Sequence, residues 1–264
     1  MQNILGAKNM NFKIIFAAAA LLATQSFAIA GIGFHYTPNV GTTLKKADKA
    51  PIKGNENIQF SHGDFDYIQG FGFKAWVDIL PFIDIEGSFN IQFASYNASL
   101  WAKNPDDGTF KEIPMKIELG GTPFAKATPK YIAMNGDISV TKPFSIPLFP
   151  IRPYVGAGLT MHWNTFILNN RFVEKVMDKA FADGNYPSES DKLAKALAEK
   201  VVDAAKDKGL NKSVGFHLLA GVRAKLPIIP IAAYANVKVY LGGEYDSDID
   251  AGHVAFELGG GFAL

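Results

Sequence analysis

One pattern recurs along the chain and limits its fold more than any other feature: apolar and polar residues alternate through eight separate segments. In "IDIEGSFNIQF" (83–93), isoleucine, phenylalanine and glycine take every second position, and acids, amides and serine take the positions between them. Successive side chains of a β-strand point to opposite faces, so this period of two predicts a strand with one apolar and one polar face. The other segments are "GIGFHYT", "QGFGFKAWVDI", "YIAMNGDISVT", "IRPYVGAGLTMHW", "VGFHLLAGVRAKL", "IAAYANVKVYL" and "HVAFELGGGFAL".

The connections between these segments are alternately short and long. Short, proline-marked connections follow the second, fourth and sixth segments, at Pro81, 142–150 and 227–230. The long ones span about 41–66, 97–130 and 164–212, and the last, "GGEYDSDIDAG", is of medium length and acidic. All segments but the first have 11–13 residues, which suits the roughly 9–11 that a tilted strand needs to cross a membrane. The sequence therefore predicts an all-β fold, an eight-stranded antiparallel transmembrane β-barrel with its long loops on one side.

The alternation alone leaves open which face points inward. A soluble lipocalin-type barrel would enclose its apolar face around a ligand, whereas a membrane barrel would turn that face to lipid. The polar face is rich in glycine, which suits a narrow lumen, and its five bases and five acids can pair there as a structural network. These ten residues are Lys74, Asp78, Asp84, Glu86, Asp137, Arg152, Arg223, Lys225, Lys238 and Glu257. The solvated face of a soluble sheet is the alternative interpretation of the same set.

Aromatic residues stand near the ends of the segments, as in the belts at membrane interfaces. They are Tyr96, Trp163 and Tyr245 on the long-loop side and Phe82, Phe144, Phe149 and Phe262 on the short-turn side. Their positions favour the membrane barrel over the soluble one.

The first thirty residues differ from the rest of the chain. Lys8 and Lys13 precede an apolar run over 14–23, and "AIA" follows at 28–30. This order predicts a secretory signal peptide over 1–30, cleaved near Ala30, and a barrel domain over 31–264. The apolar run is too short to span a bilayer as a helix, which needs about 20 residues.

The third long connection departs from the period of two. Within about 166–211, apolar residues recur at helical spacing, first in "NRFVEKVMDKAF" and again in "SESDKLAKALAEKVVDAAKDKG", where Gly209 can end the second helix. We expect a helical insertion in this external loop, lying over the mouth of the barrel. It can be a structural cap that buries its own apolar stripe, or an element that binds a partner or ligand.

Composition excludes several kinds of chemistry. The chain has no cysteine, which removes disulfides, thiolate metal sites and cysteine nucleophiles, and its net charge of +1 offers no footprint for nucleic acid. The five histidines are His35, His62, His162, His217 and His253. All but His62 fall at alternate positions of the segments that we assign to the inward face. A histidine–acid arrangement in the lumen is possible, but without a matching motif we expect no catalytic, metal or cofactor site.

Together, the secretion signal, the eight alternating segments, the loop asymmetry and the final "FELGGGFAL" resemble the small bacterial outer-membrane β-barrel proteins, the group of the OmpA transmembrane domain, OmpX and the OmpW-like proteins. The resemblance implies the outer membrane of a Gram-negative bacterium, and recognition of the last strand by the barrel-assembly machinery. Phe262 stands third from the end and Leu264 last, which departs from the terminal aromatic of that group.

The function expected from these features is that of a non-enzymatic outer-membrane anchor with a side-chain-filled lumen and interacting surface loops. A narrow, porin-like channel or a lateral exit for small or hydrophobic molecules is the alternative, and a lipid-modifying enzyme is the third. The expected partners are outer-membrane lipid, the assembly machinery and an extracellular partner of the long loops, with no nucleic acid and no cofactor.

Overall fold

A computed structural model describes residues 30–52, 55–78, 82–116, 128–144, 146, 151–183, 187–225 and 229–263. The predicted signal peptide lies outside these residues except for Ala30, and so do Pro81, Phe149 and Leu264. The strands in the described ranges are β1 (Ala30–Leu44), β2 (Ala47–Ile52), β3 (Asn55–His62), β4 (Phe65–Val77), β5 (Asp84–Ser95), β6 (Ala98–Lys103), β7 (Phe110–Pro114), β8 (Lys130–Pro143), β9 (Ile151–Asn164), β10 (Asn211–Lys225), β11 (Ile231–Gly242), β12 (Ile249–Asp250) and β13 (Val254–Ala263). The helices there are α1 (Asn170–Ala180) and α2 (Ser190–Lys208).

Eight of these strands form a closed antiparallel barrel in the order β1, β4, β5, β8, β9, β10, β11, β13 and back to β1. Gly31 closes the barrel, because it is paired with Trp76 on β4 and with Ala263 on β13. Each of the eight strands follows its neighbour along the chain, and closure leaves the barrel without a free edge. The eight-stranded barrel predicted from the alternation is confirmed.

The two faces of the barrel wall differ as the period of two predicts. On β8, Ile138 is 69% exposed whereas the adjacent Asp137 is 3% exposed. Glycines on the inner face make room for lumen side chains: a Cβ atom on Gly72 would lie 2.1 Å from Asn90 Oδ1 and 2.5 Å from His35 Nε2. The apolar residues therefore point outward, and the polar residues point into the lumen.

The described parts of the three long connections form strands and helices, and the sequence did not predict the strands in the first two connections. Strands β2, β3, β6 and β7 form a second antiparallel sheet, and α1 and α2 pack against it. We call this sheet with its two helices the cap. Its apolar residues join those at the end of the barrel in one core, which includes Phe60, Ile68, Leu100, Ala133 and Leu197. The barrel is thus covered at this end.

The helical insertion is present in the third long connection, as expected. Asn169 caps α1 by accepting a hydrogen bond from the Phe172 backbone N–H, and Gly209 ends α2 with a φ of +72°. Leu193, Leu197 and Val201 of α2 are buried in the cap core, so the helix covers its own apolar stripe. Neither helix in the described ranges is long and apolar enough to cross a membrane.

Candidate functional site

Five charged side chains from five strands meet in the middle of the lumen. Lys74 Nζ lies 3.1 Å from Glu86 Oε2 and 3.0 Å from Glu257 Oε2. Lys238 Nζ lies 2.6 Å from Glu257 Oε1 and 2.6 Å from Asp137 Oδ2. All five side chains are at most 2% exposed. They form a continuous chain of alternating charge, from Glu86 through Lys74, Glu257 and Lys238 to Asp137.

A second cluster continues this chain toward the short-turn end. Arg152 donates to Asp78 Oδ2 at 2.8 Å and to Asp84 Oδ1 at 3.3 Å, and Arg223 donates to Asp78 Oδ1 at 3.1 Å. Arg223 also donates to Glu86, which joins the two clusters. Because Glu86 belongs to β5 and Arg223 to β10, this contact crosses the lumen between strands that are not neighbours in the barrel.

The structure therefore brings together nine of the ten charged residues that the sequence assigned to the lumen. The tenth, Lys225, is half-buried near the end of β10 and has no place in this chain of ion pairs among the described residues. Burying an isolated charge costs several kcal/mol, so ion pairing of this extent is what permits nine charges in a narrow lumen.

Neutral groups complete the lumen around these charges. Asn236 donates to Glu257 Oε2 at 2.7 Å, and Thr160 donates to Asp137 Oδ1 at 2.8 Å. The Arg223 guanidinium lies 4.5 Å from the ring centre of Trp76, which is 1% exposed. Charges, hydrogen-bond partners and aromatic rings from several strands thus contact one another within the lumen of the eight-stranded barrel.

Sequence reasoning did not find a serine–histidine contact in the same lumen. His217 Nε2 lies 2.7 Å from Ser139 Oγ, and His217 Nδ1 lies 2.7 Å from Thr160 Oγ1, which in turn donates to Asp137. Because Thr160 donates to Asp137, it accepts from His217 Nδ1, which leaves Nε2 free to accept from Ser139. Serine beside an oriented histidine is a nucleophile–base pair in form, but both residues are buried, so a substrate would have to displace the network to reach them.

The other histidines have different surroundings. His35 Nε2 lies 2.6 Å from Asn90 Oδ1 and His162 Nδ1 lies 2.7 Å from Asn135 Oδ1, both in the lumen. His253 was expected on the inward face of the last strand. That expectation is wrong, because β13 begins at Val254 and His253 lies before it, exposed. Among the described residues, no three histidine or acidic side chains are grouped so that they could hold a metal ion.

The aromatic belt is only partly where the sequence placed it. Phe82, Phe144 and Phe262 are exposed at the short-turn end, as expected. Tyr96 instead belongs to the cap core, where its Oη accepts a hydrogen bond from the Leu168 backbone N–H at 3.0 Å, and the half-buried Tyr245 packs against that core. The expectation was wrong for both because it treated the long connections as loops and not as a folded cap.

The cap presents a second candidate site on the side of its sheet that faces away from the helices. Trp101 lies there on β6, and its indole N–H donates to Ser61 Oγ at 2.9 Å. Lys49 Nζ lies 3.3 Å from the centre of the Trp101 ring. The paired neighbours of Trp101 are Gln59 on β3 and Glu112 on β7. We call this surface, made by Lys49, Gln59, Ser61, Trp101, Lys103 and Glu112, the Trp101 face.

No family model and no curated protein matches the sequence. Several solved structures are similar to it. The outer membrane protein OprG from Pseudomonas aeruginosa shares 10% identity at a TM-score of 0.44, over 90% of this chain and 96% of its own. Ail, the attachment invasion locus protein of Yersinia pestis, solved with the heparin analogue sucrose octasulfate, shares 10% identity at a TM-score of 0.40, over 90% of this chain and 99% of its own. Neisserial surface protein A shares 13% identity at a TM-score of 0.34, over 88% of this chain and 97% of its own. At such identities the likeness concerns the fold alone.

Proposed function

We propose that the protein is an integral outer-membrane β-barrel whose closed lumen makes it an anchor for the cap, with no catalytic role. The observation that carries this proposal is the ion-pair chain that crosses the lumen. Arg223 reaches Glu86 from β10 to β5, and Lys238 reaches Asp137 from β11 to β8. A water-filled passage along the barrel axis would have to break these contacts.

The outer surface of the barrel supports the membrane part of the proposal. Phe34 is 75% exposed, and Phe71, Phe216 and Leu258 are more than 60% exposed on other strands of the wall. Monomeric soluble proteins rarely expose such a continuous apolar surface, whereas lipid would cover it at no cost. The apolar residues of the cap are buried in its own core, as expected for a part that lies in water.

The cap supports the interaction part of the proposal. It lies at the end of the barrel opposite the short turns, which is the external side in outer-membrane barrels. An anchored barrel with a folded external layer would meet an extracellular partner through that layer. The other proposed partners are the surrounding lipid and, through β13, the barrel-assembly machinery.

Reconstitution in planar lipid bilayers tests the proposal. We expect the protein to insert, to show a heat-dependent shift in gel migration, and to leave the bilayer without stepwise conductance. Steady conductance steps from protein that passes the migration test would refute the closed lumen. A chain that stays soluble without detergent would refute the membrane location itself.

One observation favours a lateral exit as the second candidate. The paired positions of β1 and β13 include Tyr36 with Leu258 and Asn39 with Ala255, but no pair forms at Thr37 and Pro38 between them. Proline has no N–H to donate to the ladder, so the wall is less tightly bonded at this point. Pro38→Val restores the donor. If the wall opens here, this variant should slow the passage of a small hydrophobic dye into vesicles, and the anchor function predicts no passage with either chain.

A further inference from the structure

The Trp101 face differs in chemistry from the opposite face of the same sheet. The inner face carries Ile58, Phe60 and Leu100, each at most 1% exposed, in the cap core. The outer face carries an indole ring among an amide, hydroxyl and charged side chains instead. An aromatic ring with polar groups around it offers both a surface for C–H groups and hydrogen bonds at the edges.

The indole ring is held in a fixed position. Its N–H is bound to Ser61 on β3, the neighbouring strand, so the ring extends from β6 across β3. Lys49 reaches the ring from β2, the strand beyond, and its ammonium group lies over the ring face. Lys49 therefore covers one face of the ring, and it is itself exposed.

The contact between Lys49 and the ring does not close the face to a ligand. Exposed cation–π contacts are weak, equivalent to a factor of about two to five in the equilibrium. A ligand that contacts the ring can displace the ammonium group and still use its charge. Glu112, on the other side of Trp101, is held by a hydrogen bond from Ser99 Oγ at 2.7 Å.

The direction of the Trp101 face indicates what lies beside it. Even-numbered residues of β5 point into the lumen, and even-numbered residues of β6 point into the cap core. Odd-numbered residues of β5, such as Phe93, point to lipid, and Trp101 continues that side beyond the end of the strand. The Gly63 backbone N–H donates to the Asn97 carbonyl at 2.7 Å between the β4–β5 and β3–β6 ladders, so the Trp101 face continues the lipid-facing side of the barrel wall beyond its end.

We propose that the Trp101 face binds the acidic oligosaccharide headgroup of the outer-leaflet glycolipid, lipopolysaccharide. The C–H face of a sugar ring packs on Trp101, Gln59 and Ser61 supply hydrogen bonds, and Lys49 and Lys103 pair with phosphate or carboxylate groups of the saccharide. Lys49 and Lys103 against Glu112 give the face a net charge of +1, which is favourable beside an anionic membrane surface. This inference rests on the proposed outer-membrane location.

The test is calorimetric titration of the full chain in detergent micelles with deacylated lipopolysaccharide oligosaccharide. We expect saturable binding that Trp101→Ala weakens at least about tenfold and that Trp101→Phe, which keeps an aromatic face, weakens by less than about threefold. Trp163→Phe is the matched control, since it changes a tryptophan of the barrel wall and should leave binding unchanged. Lys49→Met should weaken binding of the oligosaccharide by more than binding of its dephosphorylated form, in which only carboxylate groups remain to pair with the lysine.

Gel migration with and without heating, in the same samples, separates the possible failures. Folded, inserted protein that shows no saturable binding, or equal binding by the native chain and Trp101→Ala, would overturn this inference and leave the anchor function intact. Equal affinity for neutral dextran would overturn the assignment to an acidic headgroup. Failure of the chain to insert would overturn the proposed function first.

Discussion

Replacing Lys238 with methionine removes a buried cation while nearly keeping its volume. The ammonium group pairs with Asp137 and Glu257 at 2.6 Å each and donates to Ser88 Oγ at 2.7 Å. After the change, Glu257 keeps Lys74 at 3.0 Å, whereas Asp137 keeps hydroxyl donors and no cation of a lysine or arginine, with Thr160 at 2.8 Å, Ser88 at 3.1 Å and Tyr240 at 3.3 Å. Most of the loss should therefore come from the uncompensated charge on Asp137.

Removing one partner of a buried ion pair costs about 3–5 kcal/mol, against a total stability of about 5–15 kcal/mol for a typical domain. Lys238→Met should lower the free energy of unfolding by that amount, a change of more than about a hundredfold in the folding equilibrium. Adding Asp137→Asn removes the orphaned charge, and the double variant should recover most of the loss. The assay is urea unfolding of the barrel in lipid vesicles, followed by tryptophan fluorescence.

Lys192→Met is the matched control, because the Lys192–Glu189 ion pair has nearly the same N–O distance as the Lys238–Asp137 pair but is exposed instead of buried. Lys192 Nζ lies 2.7 Å from Glu189 Oε1, but the two side chains are 68% and 62% exposed. Screening by water should leave stability unchanged there within experimental error. A loss below about 1 kcal/mol for Lys238→Met, or equal losses for the single and double variants, would refute the view that the lumen is held by mutual charge compensation.

Three further predictions concern the cap and the serine–histidine contact. Leu197→Ala leaves a cavity at a fully buried position and should lower the stability of the cap by about 2–5 kcal/mol. We expect earlier proteolysis of the cap, while the heat-dependent gel migration of the barrel persists. Simultaneous loss of the cap and of that migration would contradict a separately stabilised barrel. Burial raises the pKa of Tyr245 to about 12, above its unfolded value of about 10, so the cap should lose stability as pH rises from 10 to 12. Tyr245→Phe should flatten that part of the pH–stability curve, and an unchanged slope would assign it to other groups such as Tyr96. A fluorophosphonate probe should leave Ser139 unlabelled in folded protein, and labelling that Ser139→Ala abolishes would contradict the non-enzymatic function.

The parts of the fold that the sequence predicted are those with a long, regular period. Eleven or more alternating residues determine which side of β5 or β11 faces the lumen, since a slip by one residue would invert every side chain. The helices of the third connection were found for the same reason, with a period near 3.6. In a long segment, a single glycine or proline that departs from the pattern does not change the predicted element.

The sheet of the cap was missed because its strands offer no such period. β2 and β7 have six and five residues and contain Pro51 and Pro114, which argue against a central strand. β6 reads "ASLWAK", in which small and apolar residues follow one another. These strands are defined by pairing between two connections that lie far apart in sequence, and by the helices that cover their inner face. Trp101 therefore offered no sequence signal as a site, because its exposure depends on that pairing.

In the lumen, the alternation of the sequence does not predict which side chains contact one another. Alternation assigns a residue to a face, but it gives neither the height of that residue along the barrel nor the strand opposite to it. Glu86 meets Lys74 on the adjacent strand and Arg223 across the lumen, and only the relative shift of all eight strands puts Arg223 at the right height. The balance of charges could therefore be read from composition, whereas the partners follow from closure. For the same reason, Ser139 and His217 lie 78 positions apart in sequence but share one hydrogen bond, and a contact of that kind is fixed by the geometry of the closed wall and not by any local motif.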